Sequence, residues 1–383
     1  MPAIDEKDRY IYVGGQKLRR GYTTGSCAAA ASKAAAEMLI SGKRVETVDI
    51  LTPRGIPLHI SVEDIEMSEG AVSCAVRKDG GDDADDTNGA LIYSRVSRSA
   101  EEGIHIDGGK GVGRVTRKGL DQPPGNAAIN HVPRSMITEC ITDVCDAFRT
   151  TPAFDVVISV KDGETIAKRT FNPRLGIEGG ISIIGTSGIV EPMSETALLG
   201  SIKAEMSVFM APGRKFLLTV PGNYGKDFVK DFPALEGQQP VECSNFIGDF
   251  LDMAVEMGAE GVLLVGNLGK LVKIAGGIMN THSRNADSRM EIMASNAIMA
   301  GADTETAKKI MGCISTDDAL ECLDEVGLIK PTMELMIPKI EFHMNHRVKG
   351  RIGVGAIVFS TEFGTLGMTP SARGLLEKVG AKE

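Results

Sequence analysis

The feature of the sequence that most constrains its fold is an alternation of apolar strand patterns and helical patterns that begins near residue 180. The strand patterns cover residues 181–185, 215–220, 240–243, 261–266 and 351–360. Most of them end in a glycine-bearing loop, and a helical pattern follows. Because consecutive parallel strands need a crossover between them, the alternation predicts an open, mostly parallel α/β sheet.

The first half of the chain has a different pattern, which begins with an alanine-rich segment at residues 21–40. This composition predicts a helix over residues 26–40, with Thr24 or Ser26 as its N-terminal cap. Between residues 45 and 79 apolar and polar positions alternate, as they do in antiparallel strands.

Further along, Asp162-Gly163 lies inside a strand pattern and predicts a two-residue hairpin turn. Together these patterns predict two domains. Residues 1–178 form a mixed α+β domain with antiparallel strands, and residues 179–383 form the α/β domain. The boundary rests on the change of pattern alone, because no linker or low-complexity segment separates the halves.

Composition excludes several classes of function. The 383 residues carry a net charge of −9, which argues against broad binding to nucleic acid or anionic membranes. The acidic first ten residues do not resemble a signal peptide, and no uncharged apolar run reaches the length of a membrane span. Seven scattered cysteines without a CxxC pair favour a reducing, cytoplasmic location. The six histidines are isolated, so no metal site is predicted.

Three glycine-bearing loops follow predicted strands, at residues 185–188, 222–225 and 266–270. Ligands bind outside the carboxyl ends of the strands in an open α/β sheet, so we expect the three loops to form one binding rim. Tight turns without a ligand are the alternative, and Leu271 stands where a P-loop needs serine or threonine. The candidate cofactor-binding residues are Gly185, Thr186, Ser187, Gly188, Gly222, Asn223, Gly266, Asn267 and Gly269.

Residues 78–87 form an acidic loop with five carboxylates in eight positions. Carboxylate oxygens could hold Mg²⁺ or Ca²⁺, but the loop lacks the spacing of an EF-hand. A solvated acidic turn is a second interpretation, and a carboxylate that accepts a proton from a substrate is a third. In the third case the candidate catalytic residues are Asp82, Asp83 and Asp85.

Local positive clusters in this acidic chain could bind the carboxylates of a ligand in bidentate fashion. The candidates are Arg114, Arg117, Arg169 and Arg174, for which protection of an exposed strand edge is the alternative. Cys27 lies at the N-terminus of the predicted helix, where the helix dipole would stabilise a thiolate. Packing of a small side chain is the commoner explanation for such a cysteine.

Six segments closely resemble the CbiD family, namely residues 18–35, 78–89, 111–120, 129–137, 169–195 and 265–291. The resemblance implies a cobalt-precorrin-5B (C1)-methyltransferase of anaerobic cobalamin biosynthesis, which uses S-adenosyl-methionine and yields cobalt-precorrin-6A. The cobalt would arrive with the tetrapyrrole, so the protein itself supplies no metal ligand. Thr23, Thr24 and Ser26, in the first segment, are taken as candidate substrate-binding residues.

The resemblance also implies how such a protein works. The methyl group of a sulfonium is already activated, so the protein mainly aligns the ring carbon and excludes water. A carboxylate of the acidic loop would accept the proton that the methylated macrocycle loses. A homo-oligomer and transient contact with neighbouring pathway enzymes are further expectations. Two other classes stay open: a nucleotide enzyme such as a kinase, and a non-catalytic carrier of a tetrapyrrole or cobalt.

Overall fold

The computed structural model describes residues 3–380, which form 13 α-helices, 20 strands and one short 3-10 helix. The expected mixture of helices and sheets is confirmed. The chain divides into two compact units, Met1–Ala197 and Leu198–Glu383. The domains 1–178 and 179–383 stay a prediction, although strands between residues 180 and 190 pair within the first unit.

The first unit is built on a five-stranded sheet. Its elements are β1 (Tyr10–Val13), β2 (Gln16–Arg19), β3 (Gly21–Tyr22), α1 (Thr24–Ser41), β4 (Thr47–Leu51), β5 (Pro57–Ser61), β6 (Glu63–Ser68), β7 (Ala71–Arg77), β8 (Leu91–Arg98), β9 (Gly103–Gly108), β10 (Gly111–Val112), β11 (Arg114–Val115), α2 (His131–Phe148), β12 (Ala153–Val160), α3 (Gly163–Ala167), α4 (Asn172–Leu175), β13 (Ile177–Glu178), β14 (Gly180–Ile181) and β15 (Ile189–Val190). The sheet has the order β6-β7-β8-β12-β9. Its neighbours are antiparallel except β12 and β9, which run parallel. Within this sheet the expected antiparallel strands therefore include one parallel pair that the alternation did not indicate.

Helix α1 lies in the core of the first unit, and all its alanines are inaccessible to solvent. It packs against β4, β7, β8 and α2, and side chains no larger than alanine let these neighbours approach closely. The helix predicted over residues 26–40 is confirmed. Its cap is Thr23 rather than Thr24 or Ser26, because Thr23 Oγ1 accepts a 3.2 Å hydrogen bond from the backbone N–H of Ser26.

Two buried polar contacts hold α1 on the sheet. The hydroxyl oxygens of Ser32 and Ser94 lie 2.8 Å apart, and the thiol of Cys74 donates to the carbonyl of Ala31 at 3.2 Å. Each contact satisfies a polar group that would otherwise be buried without a partner.

The hairpin predicted at Asp162-Gly163 is wrong. Asp162 does adopt a left-handed backbone, with φ 59°, but the chain then turns into α3 instead of a second strand. Gly163 packs directly on the backbone of Gly111, which leaves no room for a side chain. This contact is distant in sequence, so the local turn pattern gave no sign of it.

The second unit contains a five-stranded sheet of the order β17-β16-β18-β19-β20. The elements that complete the chain are α5 (Glu195–Met210), which begins at the end of the first unit, β16 (Phe216–Val220), α6 (Asn223–Asp231), the 3-10 helix (Pro233–Leu235), β17 (Val241–Glu242), α7 (Ile247–Glu256), β18 (Gly261–Asn267), α8 (Leu268–Ala275), α9 (Arg289–Met299), α10 (Thr304–Met311), α11 (Thr316–Asp324), α12 (Ile329–Val348), β19 (Gly353–Ser360), β20 (Gly364–Met368) and α13 (Ala372–Gly380). The first four strands in the order run parallel, and β20 is an antiparallel edge strand.

Strands β16 to β19 confirm the segments predicted at 215–220, 240–243, 261–266 and 351–360. The segment 181–185 is not part of this sheet. Its residue Ile181 lies in β14, which pairs in parallel with β10 of the first unit. A short apolar segment does not reveal which distant strand it will join.

Both faces of the second sheet are covered by helices. Val262 and Leu264 of β18 belong to a core with residues of α7, α8 and α12, whereas Leu263 and Val265 belong to one with residues of α6 and α13. Burial on both faces explains why this strand is apolar throughout. None of the described helices has both the length and the apolar character needed to cross a membrane.

We expect the Ala31→Leu substitution to lower the free energy of unfolding by about 1–3 kcal/mol, because a larger side chain has no space around α1. Ala100→Leu, at an exposed bend of the same unit, is the matched control and should change it by less than about 0.5 kcal/mol. Denaturant unfolding of both variants measures the difference. Equal stability would show that close packing around α1 does not require alanine.

Candidate functional site

The strand order of the second unit reverses at the carboxyl end of β16. From β16 the chain crosses to β17 on one side, and later it continues through β18 and β19 on the other side. Such a switch point leaves a crevice outside the carboxyl ends of two strands, and ligands bind there in open α/β sheets. In this unit the strand order places the switch point at the ends of β16 and β18.

Five of the predicted cofactor-binding residues lie at this switch point. Gly222 and Asn223 follow β16, while Gly266, Asn267 and Gly269 lie at the end of β18 and the start of α8. Asn267 Oδ1 accepts a 2.8 Å hydrogen bond from the backbone N–H of Gly269 and so caps α8. Two of the three predicted loops therefore meet at one edge of the sheet.

Lys270 links these two loops. Its ammonium group donates a 3.1 Å hydrogen bond to the carbonyl of Pro221. Burial lowers the pKa of Lys270 below its ordinary value. The electrostatic effect of Cys243 and Glu242 acts in the opposite direction but is smaller. Tyr224, in the first turn of α6, is 71% exposed at the same edge.

A carboxylate that the sequence analysis did not single out also lies here. Glu242 ends β17, opposite Val220 at the end of β16, and forms an ion pair with Lys226 of α6. A Cβ atom added to Gly222 would lie 3.9 Å from Oε1 of Glu242, and no other described heavy atom outside the neighbouring residues would lie within 4 Å. The space beside Gly222 is therefore open and faces a carboxylate.

The third predicted loop, residues 185–188, lies elsewhere, in the first unit at the N-terminus of α1. Thr24 Oγ1 accepts a 2.9 Å hydrogen bond from the N–H of Ile184, and Ser26 Oγ donates at 2.7 Å to the carbonyl of Gly188. The expectation that three loops form one rim is wrong, because this loop pairs with elements far before it in the chain.

The hydroxyl groups predicted to bind substrate make these contacts. Thr23, Thr24 and Ser26 are buried and bond to the backbone of the loop or of α1. Gly185, with φ 140°, permits the close approach, because a Cβ atom there would overlap the Thr23 hydroxyl. Their role, and that of residues 185–188, in ligand binding stays a prediction.

The carboxylates of the acidic loop have partners within the protein. Asp79 accepts two hydrogen bonds of 2.5 and 2.7 Å from the guanidinium of Arg19, which hold the pKa of Asp79 below its ordinary value. Asp82 Oδ2 accepts a 2.6 Å hydrogen bond from the backbone N–H of Arg19, and Asp83 Oδ1 accepts one of 3.1 Å from that of Met193. These contacts attach the acidic loop to Arg19, which precedes it in the sequence, and to Met193, which follows it.

Asp85 is the partner of a buried lysine. Lys78 is 3% exposed, and its ammonium group forms an ion pair with Asp85. Burial acts to raise the pKa of Asp85, but Lys78 and hydrogen bonds from Thr87 hold it below its ordinary value. A carboxyl group with a lowered pKa is a weak proton acceptor near neutral pH. These contacts favour a role in folding for Asp85, and a catalytic role for Asp82, Asp83 or Asp85 stays a prediction.

Two of the four predicted carboxylate clamps already bind carboxylates of the protein. Arg114 forms two hydrogen bonds with Asp107, of 2.7 and 2.8 Å. The Nε atom of Arg169 lies 3.2 Å from Asp86 of the acidic loop. For a ligand to bind to these arginines, it would have to displace or share their partners.

The other two clamps are neighbours on the surface of the first unit. Arg117 is exposed and donates a long hydrogen bond of 3.4 Å to the carbonyl of Arg174. Arg174 is exposed too, and its guanidinium carbon lies 5.7 Å from the ring centre of Phe171. Arg117 and Arg174 therefore lie together on an exposed surface of the first unit.

Cys27 has the environment of a packing residue. Its thiol is inaccessible to solvent, and burial raises the pKa of the thiol to about 12. A nucleophile needs the thiolate form and access to its substrate, so the packing interpretation is favoured.

Comparisons with known proteins point to one family. CbiD matches residues 11–192, and CbiD, C-terminal domain, matches residues 280–370. Relatives named cobalt-precorrin-5B C(1)-methyltransferase include one from Ruminiclostridium cellulolyticum, 46% identical over 92% of each chain, and one from Alkaliphilus metalliredigens, 46% identical over 97% of each chain. The chain belongs to the CbiD family. A crystal structure of a cobalamin biosynthesis protein (cbiD) from Archaeoglobus fulgidus is 31% identical and covers 73% of this chain and 86% of its own, with a TM-score of 0.39.

The two CbiD matches divide the candidate residues. The acidic loop, the start of α1 and the four arginines lie within residues 11–192, whereas both switch-point loops lie between the matches. Relatives that align over 97% of the CbiD chain extend across these loops as well. The family assignment therefore covers both regions but does not by itself assign a role to either.

A second group that the sequence analysis missed is a histidine–aspartate pair in the first unit. His131 Nδ1 hydrogen bonds to Asp121, which also accepts a 2.8 Å hydrogen bond from the backbone N–H of His131. In the sequence His131 is isolated from other histidines and cysteines, so it predicts no metal site. An Asp ten residues before the start of a helix is the signal that could have revealed the pair.

We expect the Asp85→Asn variant to lose about 3–5 kcal/mol of folding free energy, because it leaves Lys78 buried without its partner charge. The Asp85 pKa is lower in the folded than in the unfolded protein, so its contribution is present above about pH 4 and is lost as the pH falls through the folded-state value. Acid unfolding of the variant should therefore depend less steeply on pH than that of the parent.

The matched control for this experiment is Asp82→Asn, whose amide oxygen can still accept the Arg19 hydrogen bond. It should change the free energy of unfolding by no more than about 1 kcal/mol. If Asp85→Asn were as stable as the parent, the ion pair with Lys78 would not support the loop.

Proposed function

We propose that this chain transfers a methyl group from S-adenosyl-methionine to carbon C1 of cobalt-precorrin-5B and yields cobalt-precorrin-6A in anaerobic cobalamin biosynthesis. The observation that carries the proposal is membership of the CbiD family, with relatives of that methyltransferase name aligned over 92–97% of the chain. A methyltransferase requires a methyl donor, and we assign the donor to the switch point of the second unit.

The residues at the switch point suit a donor that contains a nucleoside. The open space beside Gly222 would let a ligand approach the backbone where any larger side chain would stand in the way. Asn223 is exposed at the same turn, and Glu242 and Lys270 add one charge of each sign. These groups would hold the two polar ends of the ligand.

S-adenosyl-methionine supplies a methyl group on a positively charged sulfur, which needs no further activation. The chain therefore contributes orientation and the exclusion of water. The two loops are joined by the hydrogen bond between Lys270 and Pro221, so their relative position is set before a ligand binds. Such preorganisation reduces the entropy cost of binding.

We assign the carboxylates of the tetrapyrrole to arginines of the first unit. A chain of net charge −9 needs local cations to bind such an anion. Arg117 is the first candidate because it is exposed and its hydrogen bond to the Arg174 carbonyl is long. Arg114 and Arg169 would act only by sharing their protein partners.

Proton acceptance is assigned to Asp82 or Asp83. A methylated macrocycle with an added positive charge is neutralised when it loses a proton to a nearby base. Each of the two carboxylates accepts a backbone hydrogen bond on one oxygen, which would hold it in a fixed orientation.

The seven free cysteines support the expected cytoplasmic location. A homo-oligomer and transient contacts with neighbouring enzymes of the pathway stay expectations. The oligomeric state can be measured on the purified protein, and the contacts on a mixture of the protein with those enzymes.

The activity is tested by incubating the purified protein with cobalt-precorrin-5B and methyl-labelled S-adenosyl-methionine. We expect label at C1 and release of S-adenosyl-homocysteine. Binding of the macrocycle without transfer would favour the carrier alternative. Thermal stabilisation by ATP, but not by S-adenosyl-homocysteine, would favour a nucleotide enzyme.

We expect Gly222→Leu to weaken S-adenosyl-homocysteine binding by at least about tenfold, because the leucine fills the open space that we assign to the donor. The φ of Gly222 is 161°, an extended backbone that leucine also adopts, so the fold should persist. Calorimetric titration measures the affinity. Gly200→Leu, at an exposed and equally open position of α5, should bind as the parent does.

Arg117→Ala should raise the dissociation constant for cobalt-precorrin-5B by roughly tenfold or more, since a charge-assisted hydrogen bond contributes about 1.5–3 kcal/mol. Arg114→Ala should have a smaller effect, because Asp107 already occupies that guanidinium. Arg44→Ala, at an exposed arginine of the same unit, is the neutral control. Equal affinities for all three variants would remove the arginines from substrate binding.

A further inference from the structure

We propose that Glu242 recognises the ribose of the methyl donor by accepting hydrogen bonds from its two hydroxyl groups, and that Lys226 is a positioning residue which orients the Glu242 carboxylate. This inference rests on the proposed donor site at the switch point. It adds a specificity for the sugar that neither the family assignment nor the glycine loops imply.

The first support is the position of Glu242 in the fold. Strand β16, helix α6 and strand β17 form one βαβ unit with neighbouring parallel strands. Glu242 ends the second strand of this unit, 20 residues after Gly222 by the difference of their numbers (242 − 222). In βαβ units with the G-x-G-x-x-G turn, an acidic residue about 20 residues further on hydrogen bonds to the ribose. Gly222 and Gly225 match the last two glycines of that turn, and Val220 stands at the first.

The second support is the direction in which the carboxylate faces. Glu242 is level with Val220, the last residue of β16, so it stands at the carboxyl edge and not within the sheet. Its Oε1 atom faces the open side of Gly222, where among the described atoms it alone would meet an added Cβ within 4 Å. A ligand that lies on the backbone of Gly222 would therefore contact this oxygen.

The third support is the chemistry of the carboxylate. A carboxylate only accepts hydrogen bonds, and its two oxygens match two neighbouring hydroxyl groups that donate. The Lys226 ammonium binds Oε2 and so helps to orient the carboxylate, and the Glu242 side chain is 30% exposed to solvent. A surface ion pair contributes at most about 1 kcal/mol to stability, so stability alone gives little reason for this pair.

The test measures binding by calorimetry, with S-adenosyl-homocysteine, adenosine, 2′-deoxyadenosine and 3′-deoxyadenosine as probes. The parent should bind S-adenosyl-homocysteine, and it should prefer adenosine to each deoxynucleoside by roughly tenfold or more, because a site built for a hydroxyl rejects an analogue that lacks it. Glu242→Gln should weaken S-adenosyl-homocysteine binding by roughly ten- to a hundredfold and reduce the preference for adenosine to about twofold or less.

Two further variants separate a specific role from loss of structure. Lys226→Met should weaken the preference for adenosine without abolishing it, because the carboxylate remains but is no longer held. Glu256→Gln removes a comparable ion pair of the same unit, in which Lys203 Nζ lies 2.9 Å from Glu256 Oε1, and should leave all four affinities unchanged. If Glu242→Gln does not fold, Glu242→Asp replaces it. The aspartate side chain is one methylene shorter, so its carboxylate should not reach the ribose, and most of the preference for adenosine should be lost.

The outcomes distinguish this inference from the proposed function. If the parent binds S-adenosyl-homocysteine and transfers methyl groups, while Glu242→Gln and Glu242→Asp keep the full preference for adenosine, the role of Glu242 is refuted and the activity stands. If the parent does not bind S-adenosyl-homocysteine, the donor site itself is refuted.

Discussion

Parallel strands in one sheet bring all their carboxyl ends to the same edge, and the second unit depends on this constraint. The crossovers between parallel strands place helices on both faces of the sheet. A ligand therefore binds at the loops beyond the ends of the strands. The reversal of strand order after β16 then sends two crossovers to opposite sides of that strand, which makes the ends of β16 and β18 the switch point. The loops that follow β16 and β18 meet for this reason, and Lys270 reaches Pro221 across 49 residues of sequence.

The first unit depends on a different constraint, the closeness with which other elements approach α1. A helix of alanines has a small radius, so a sheet and a second helix can pack on it without gaps. The same closeness leaves the polar groups at its N-terminus no access to water. The backbone N–H of Gly25 is satisfied by the carbonyl of Ile184, and the hydroxyls of Thr24 and Ser26 bond to the backbone of residues 184 and 188. These contacts make the loop part of the core's boundary. Glycine is required at position 185 because a side chain there would overlap Thr23 and keep the loop away from α1.

Local patterns predicted the elements whose formation depends on local causes. The alanine-rich helix and the strands β16, β18 and β19 follow from composition and length of apolar runs, because these decide propensity and burial. The segment 181–185 and the turn at Asp162 depend on distant partners, β10 and Gly111, that no local pattern encodes. At the site, glycine loops were visible as a motif, whereas Glu242 became significant only through the order of the strands.

The acidic loop shows the same limit for charges. Five carboxylates in eight positions look alike in the sequence, yet Asp85 binds a buried lysine and Asp82 and Asp83 bind only backbone N–H groups in the contacts described above. Mutual repulsion, which the crowded sequence suggests, is offset individually by Arg19, Lys78 and Arg169. The partners of Asp79 and Asp86 come from chain segments before and after the loop, and that of Asp85 is the first residue of the loop itself.

The exposure of Tyr224 at the switch point has a spectroscopic consequence. The chain has no tryptophan and five tyrosines, of which the other four, at positions 10, 12, 22 and 93, belong to the first unit. The intrinsic ultraviolet fluorescence of the second unit therefore comes from one phenol, two residues beyond Gly222. The binding of a ligand at this edge of the sheet can therefore be followed by the fluorescence of Tyr224, without an attached dye.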